Sequence, residues 1–104
     1  APRDALRLLP SREQFVRVWR RLERETTDGA LSGAELPLLR SLAAELGGAE
    51  CFLRAAVCLD VFEERGLLRC SREDDVLTLR MTANGKKVEL EASAYVRRLR
   101  SILQ

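Results

Sequence analysis

The sequence predicts an α+β domain: three helices, a small antiparallel sheet of two to three strands, and a C-terminal helix. Three observations predict it. Apolar residues recur at helical spacing as far as Arg65, the period shortens from 3.6 to 2 after Gly66, and helical spacing returns after Ser93. A chain of 104 residues, 46% hydrophobic and 33% charged, has the size and composition of one soluble core. Residues 1–10 read as a linker or a connection to an upstream domain, and residues 11–104 as the folded unit.

The first helix, Arg12 to Glu25, opens on a capping box in which Ser11 and Gln14 satisfy each other's backbone N–H groups. Phe15, Val18, Trp19 and Leu22 then fall on one face, and Asp28-Gly29 supplies the turn. The second helix lies in "LSGAELPLLRSLAAELGG". Ser32 and Glu35 form a second potential capping box, Leu36, Leu39, Leu42, Ala43 and Leu46 line a face, and Gly47-Gly48 marks the stop. Pro37 favours a regular start near that residue. The third helix, Ala49 to Arg65, carries two apolar stripes, Phe52, Ala55, Ala56, Leu59, Phe62 and Leu53, Val57, Val61, the pattern of a helix buried between layers.

Beyond Gly66, "LLRCS" reads as a short strand and "VLTLRM" as a second, with Asp74-Asp75 at the turn between them. Asn84-Gly85 is a two-residue hairpin signal leading into a further strand, "KKVELE", with Val88 and Leu90 on one face. Ser93 is then the expected N-cap of the last helix, whose apolar side is Val96, Leu99, Ile102 and Leu103. This order of elements is the layout of a winged-helix domain.

The absence of histidine removes Ser-His and Cys-His catalysis, and no Gly-rich phosphate loop is present, so this chain reads as non-catalytic. Cys51, Cys58 and Cys70 form no CxxC pair and lack the histidines that would complete a zinc set. They read as reduced thiols of a cytoplasmic protein. No apolar run reaches the length of a membrane span, and Arg3, Asp4 and Arg7 break any signal-peptide pattern. The chain opens on Ala1, the expectation for a piece of a longer protein.

In a winged helix the third helix ordinarily enters the DNA major groove. Here it carries Glu50, Asp60, Glu63 and Glu64 against Arg54 and Arg65, a surface that phosphate rows repel. The contact candidates lie elsewhere: Arg17, Arg20, Arg21 and Arg24 on the first helix, Lys86 and Lys87 on the expected wing, and Arg97, Arg98 and Arg100 on the last helix. A solvated, salt-bridged face is the plain alternative for the helical arginines. Trp19 sits on an apolar face, so single-strand binding would lack a stacking platform and rest mainly on charge.

Three segments together resemble the C-terminal domain of bacterial RecJ-type single-strand-specific exonucleases. "LPSREQFVRVWRRL" is similar to the P-S-R-E-x-F segment that opens it, and "AAVCLDVFEERGLL" to its third helix, ending V-F-x-E-x-G-hydrophobic. "KKVELEASAY" resembles the closing K-x-x-L-x-x-S-x-x-Y element through Lys87, Leu90, Ser93 and Tyr95, with a tighter serine–tyrosine spacing and Ala94 in place of proline. The resemblance implies a winged-helix-like accessory domain of a 5′-to-3′ single-stranded-DNA exonuclease of the DHH phosphoesterase superfamily, acting in DNA repair and recombination. The metals of that family, manganese or magnesium, are implied for the catalytic core of the parent enzyme, whose motifs this chain lacks. The implied partners are that core, single-stranded DNA or repair proteins. A stand-alone winged-helix transcription regulator and a purely structural protein-interaction domain are the competing expectations.

Overall fold

The computed structural model describes residues 9–103, with the side chain of Leu103 excluded. Most of the expected linker, residues 1–8, therefore lies outside the described residues. Helix α1 (Arg12–Glu25) is followed by strand β1 (Ala30–Ala34), helix α2 (Glu35–Leu46), a 3₁₀ turn (Ala49–Cys51) and helix α3 (Phe52–Glu64). Strands β2 (Leu68–Glu73) and β3 (Val76–Met81) and helix α4 (Gly85–Leu103) complete the chain. The class is α+β, with a three-stranded antiparallel sheet in the order β1-β3-β2 and a closing helix. No helix among the described residues is long and apolar enough to cross a membrane.

The first helix forms as its sequence expects. Ser11 Oγ accepts from Gln14 N–H at 3.1 Å, and Gln14 Oε1 accepts from Ser11 N–H at 3.0 Å. Phe15, Val18, Trp19 and Leu22 are all buried. Trp19 and Phe15 meet Phe62 of α3 edge-on, with centroids 5.2 and 5.9 Å apart, so aromatic packing joins α1 to α3. Leu39, Leu42, Ala43 and Leu46 bring α2 into the same core, whereas Leu36 stays 56% exposed.

The start of α2 departs from expectation. Ser32 does not cap a helix; it lies in β1, and its Oγ sits 2.9 Å from Thr78 Oγ1 across the sheet. Asp28 and Gly29 both have positive φ, so the chain reverses between Thr27 and Ala30 and lays residues 30–34 along β3. The Ala34 N-cap has no side chain to contribute, and Glu35 instead pairs with Arg72 of β2 at 2.9 Å. Pro37 is the third residue of α2, where its missing N–H has no intrahelical acceptor to lose.

Alternation in β3 is as read: Leu77 and Leu79 are buried, while Val76 and Arg80 face outward. Glu73 pairs with Val76, leaving a two-residue loop at Asp74-Asp75 with φ of 50° and 65°. Both residues lie in the left-handed region that a type I′ turn requires.

The expected second hairpin is replaced by a helix. Neither Asn84 nor Gly85 has positive φ. Asn84 caps α4: its Oδ1 accepts from Lys87 N–H at 2.9 Å, and its carbonyl accepts from Val88 N–H. The expected strand "KKVELE" is thus the first turns of α4, and Ser93 lies inside the helix rather than at its cap. Burial shows why. On a strand Val88 and Leu90 would share a face; here Val88 is fully buried and Leu90 is 66% exposed, as two positions about 200° apart on a helix should be. Ala92, Tyr95 and Val96 continue the buried side, Tyr95 edge-on to Phe15 at 5.7 Å.

Candidate nucleic-acid and partner interface

Helix α3 is buried on one side only. Ala55, Cys58, Leu59, Val61 and Phe62 face the core, but Leu53 is 56% exposed and Ala56 and Val57 are half-buried. The expectation of a helix enclosed between layers is corrected accordingly: nothing among the described residues covers the Leu53 side. Asp60, Glu63 and Glu64 share the exposed surface. Arg65 turns inward, donating to Glu91 Oε2 at 3.2 Å and lying 5.5 Å over the Tyr95 ring. The element that would read base edges in a DNA-binding winged helix is thus apolar and acidic on the outside.

The basic residues of α1 divide among several tasks. Arg21 is tied down, donating to Glu25 at 2.8 Å, Glu45 at 3.0 Å and Ser41 at 3.0 Å. The two carboxylates, Glu25 foremost, hold its guanidinium proton above the ordinary arginine range. Arg24 reaches Glu45 at 3.4 Å, and Arg20 reaches Glu89 of α4 at 3.6 Å. These pairs fasten α1 to α2 and to α4 and neutralise much of the charge that the sequence places there. Arg17 is exposed and makes no ion pair with the described residues.

Lys86 and Lys87, expected on a wing, stand in the first turn of α4, where their charge opposes the positive end of the helix dipole. The β2–β3 hairpin turns at Asp74-Asp75 instead and is acidic there.

Farther along α4 the balance reverses. Arg97, Arg98 and Arg100 are exposed and form no ion pair among the described residues. Arg97 donates through Nε to Ser93 O at 3.4 Å, and Arg12 of α1 donates through Nε to Ser93 Oγ at 2.8 Å. Arg12, Arg97 and Arg100 line a groove of about 460 Å³ between the start of α1 and the later turns of α4, with Glu13 the one acid there among the described residues. A second groove of about 470 Å³ continues past Val96, Leu99, Leu9 and Pro10 and shares Ser11, Val96 and Arg100 with the first. Arg12 was not among the residues singled out from sequence. Its contribution follows from antiparallel packing of α1 on α4, which no local spacing encodes.

Tyr95 and Trp19 are withdrawn from the surface as stacking groups, Tyr95 half-buried between Phe15 and Arg65 and Trp19 sealed in the core. Cys51 and Cys58 are buried free thiols, and burial pushes the Cys58 thiol far up. Cys70 is half-buried on β2 and pushed up to about 11, first by burial and then by the Glu63 carboxylate. Among the described residues no group of Cys, Asp and Glu converges as metal ligands. Comparison of the chain with protein-family models, curated proteins and solved structures finds no match.

Proposed function

We propose that this chain is a winged-helix-like accessory domain of a RecJ-type, 5′-to-3′ single-strand-specific DNA exonuclease, non-catalytic itself and acting through its basic helix surface. The supporting observation is the separation of charge: the outer side of α3 is apolar and acidic, whereas Arg12, Arg97 and Arg100 line one groove between the start of α1 and the later turns of α4 and form no ion pair among the described residues. An arginine cluster suits phosphate or carboxylate, each able to take two parallel N–H bonds from one guanidinium. Metal-dependent hydrolysis, with manganese or magnesium, would belong to the catalytic core of the parent enzyme.

The element order also fits a sequence-specific regulator, but the acidic outer side of α3 disfavours that reading. Fluorescence anisotropy with labelled single- and double-stranded oligonucleotides at several salt concentrations separates the two. Weak, salt-steep binding to single strands is the expected result. Tight, sequence-dependent binding to duplex would overturn the proposal in favour of the regulator, and no binding to either strand form would leave only a protein-docking role.

A further inference from the structure

The groove between α1 and α4 permits a more specific reading, which rests on the accessory-domain proposal. We infer that Arg12, Arg97 and Arg100 form a backbone clamp that holds a nucleic-acid single strand with its phosphates inward and its bases turned to solvent.

Preorganisation is the first reason. Ser93 seats two of the three guanidiniums, Arg12 through its hydroxyl and Arg97 through its carbonyl, and both bonds use Nε. The terminal N–H groups of each arginine, the pair that forms the fork toward phosphate oxygens, make no other bond among the described residues. Spacing is the second. Arg97 and Arg100 are three residues apart on one helix, so they stand on the same side of α4, and Arg12 faces them from α1. Successive cations along a groove suit a ligand with repeated charges rather than a single anion.

The composition of the groove excludes base recognition by stacking. Among the described residues it has no aromatic lining, and Tyr95 and Trp19 are engaged in the core. Val96 forms part of its floor, a low-dielectric wall beside the guanidiniums that strengthens their attraction for phosphate. Glu13 lowers the net charge but leaves an excess of two positive charges among Arg12, Arg97, Arg100 and Glu13. An acidic peptide shares the phosphate strand's negative charge; three guanidiniums lining one groove favour the strand, and the peptide is an outcome of the test.

The experiment uses the full chain and three labelled probes: a dT oligonucleotide, the same length carrying abasic sites, and the same length with a neutral methylphosphonate backbone. Three phosphates neutralised on a single strand give a log–log salt slope of about −2, so affinity for dT falls roughly 20-fold between 50 and 200 mM salt. The abasic probe is expected to bind within about threefold of dT, because stacking supplies nothing, and the methylphosphonate probe not to bind. Each of Arg12→Ala, Arg97→Ala and Arg100→Ala is expected to make the slope shallower by about 0.7, with an unchanged urea midpoint confirming the fold. Arg40→Ala, exposed on α2 and outside the lining of the groove, is expected to leave the slope as it was. Dependence on bases, or binding that survives the triple variant but is lost on altering other arginines, overturns the clamp while sparing the accessory-domain reading. Binding of an Asp- and Glu-rich peptide without any oligonucleotide overturns the clamp in favour of protein docking. Failure of every oligonucleotide probe overturns the clamp and leaves the accessory domain a protein-docking role alone.

Discussion

Replacing Asn84 by alanine tests the least expected feature of the fold, a helix where the sequence suggests a hairpin. The substitution deletes the Oδ1 acceptor of Lys87 N–H, a 2.9 Å bond, but leaves the backbone bond from Val88 N–H to the Asn84 carbonyl. One first-turn donor is released, and because Asn84 is exposed, water partly replaces the lost acceptor. The expected loss is therefore about 1 kcal/mol, within the range for N-cap deletion and toward its lower half. For a domain of this size that corresponds to a fall in Tm of roughly 4–8 °C. Urea denaturation measures the loss, and hydrogen exchange across residues 85–92 locates it. Asn84→Asp should hold or raise stability, since a carboxylate at this position also offsets Lys86 and Lys87 at the positive end of the helix dipole. Ser93→Ala removes the seat of Arg12 but no cap, so α4 should keep its protection. Leu90→Lys should change stability by less than about 0.5 kcal/mol, because Leu90 is exposed. Stability unchanged in Asn84→Ala but lost in Ser93→Ala and Leu90→Lys would place a strand at residues 86–91 and refute the helix.

Asp75→Gly relieves left-handed strain at φ 65°, less the extra entropy of glycine in the unfolded chain, so the hairpin should gain about 0.5 kcal/mol in urea titrations. A loss would show that the Asp75 side chain itself holds the turn. Arg72 holds the Glu35 carboxyl below its usual range, chiefly through their hydrogen bonds, so Glu35 contributes stability that is present at neutral pH and lost as pH falls through its lowered pKa. Glu35→Gln should thus be less stable than the parent at pH 7, by no more than about 1 kcal/mol for so exposed a pair, and equal to it near pH 2; an undiminished gap at pH 2 would sink the assignment. With the Cys70 thiol pushed up to about 11, iodoacetamide at pH 8 should label it roughly 100-fold more slowly in the folded chain than in urea, and Cys51 and Cys58 should label only on unfolding. Equal rates for Cys70 in both states would contradict the environment described.

Elements whose deciding contacts lie within about four residues are legible in the sequence. The Ser11–Gln14 capping box, the apolar face Phe15, Val18, Trp19 and Leu22, the Gly66 stop and the alternation of Leu77 and Leu79 each depend on neighbours in the chain. The exposed basic character of α4 was likewise legible, because arginines without nearby acids have few other places to go. Two segments carried signals for more than one structure. Ser32 and Glu35 have the spacing of a helix start, yet residues 30–34 become a strand because the free edge of β3 supplies backbone partners from 46 residues away. Asn84-Gly85 serves a hairpin or an N-cap equally well, and the Lys, Glu, Leu and Ala that follow favour helix by propensity. Packing of Val88, Ala92, Tyr95 and Val96 against the core decided between them. The candidate clamp belongs wholly to this second kind: Arg12 and Ser93 are separated by 81 positions and become neighbours only when α4 lies antiparallel to α1. Sequence by itself determined which stretches would bury an apolar face and which charges would remain outside. Tertiary structure alone decided which of those charges meet, because hydrogen bonding and burial act on distance in space and not on distance along the chain.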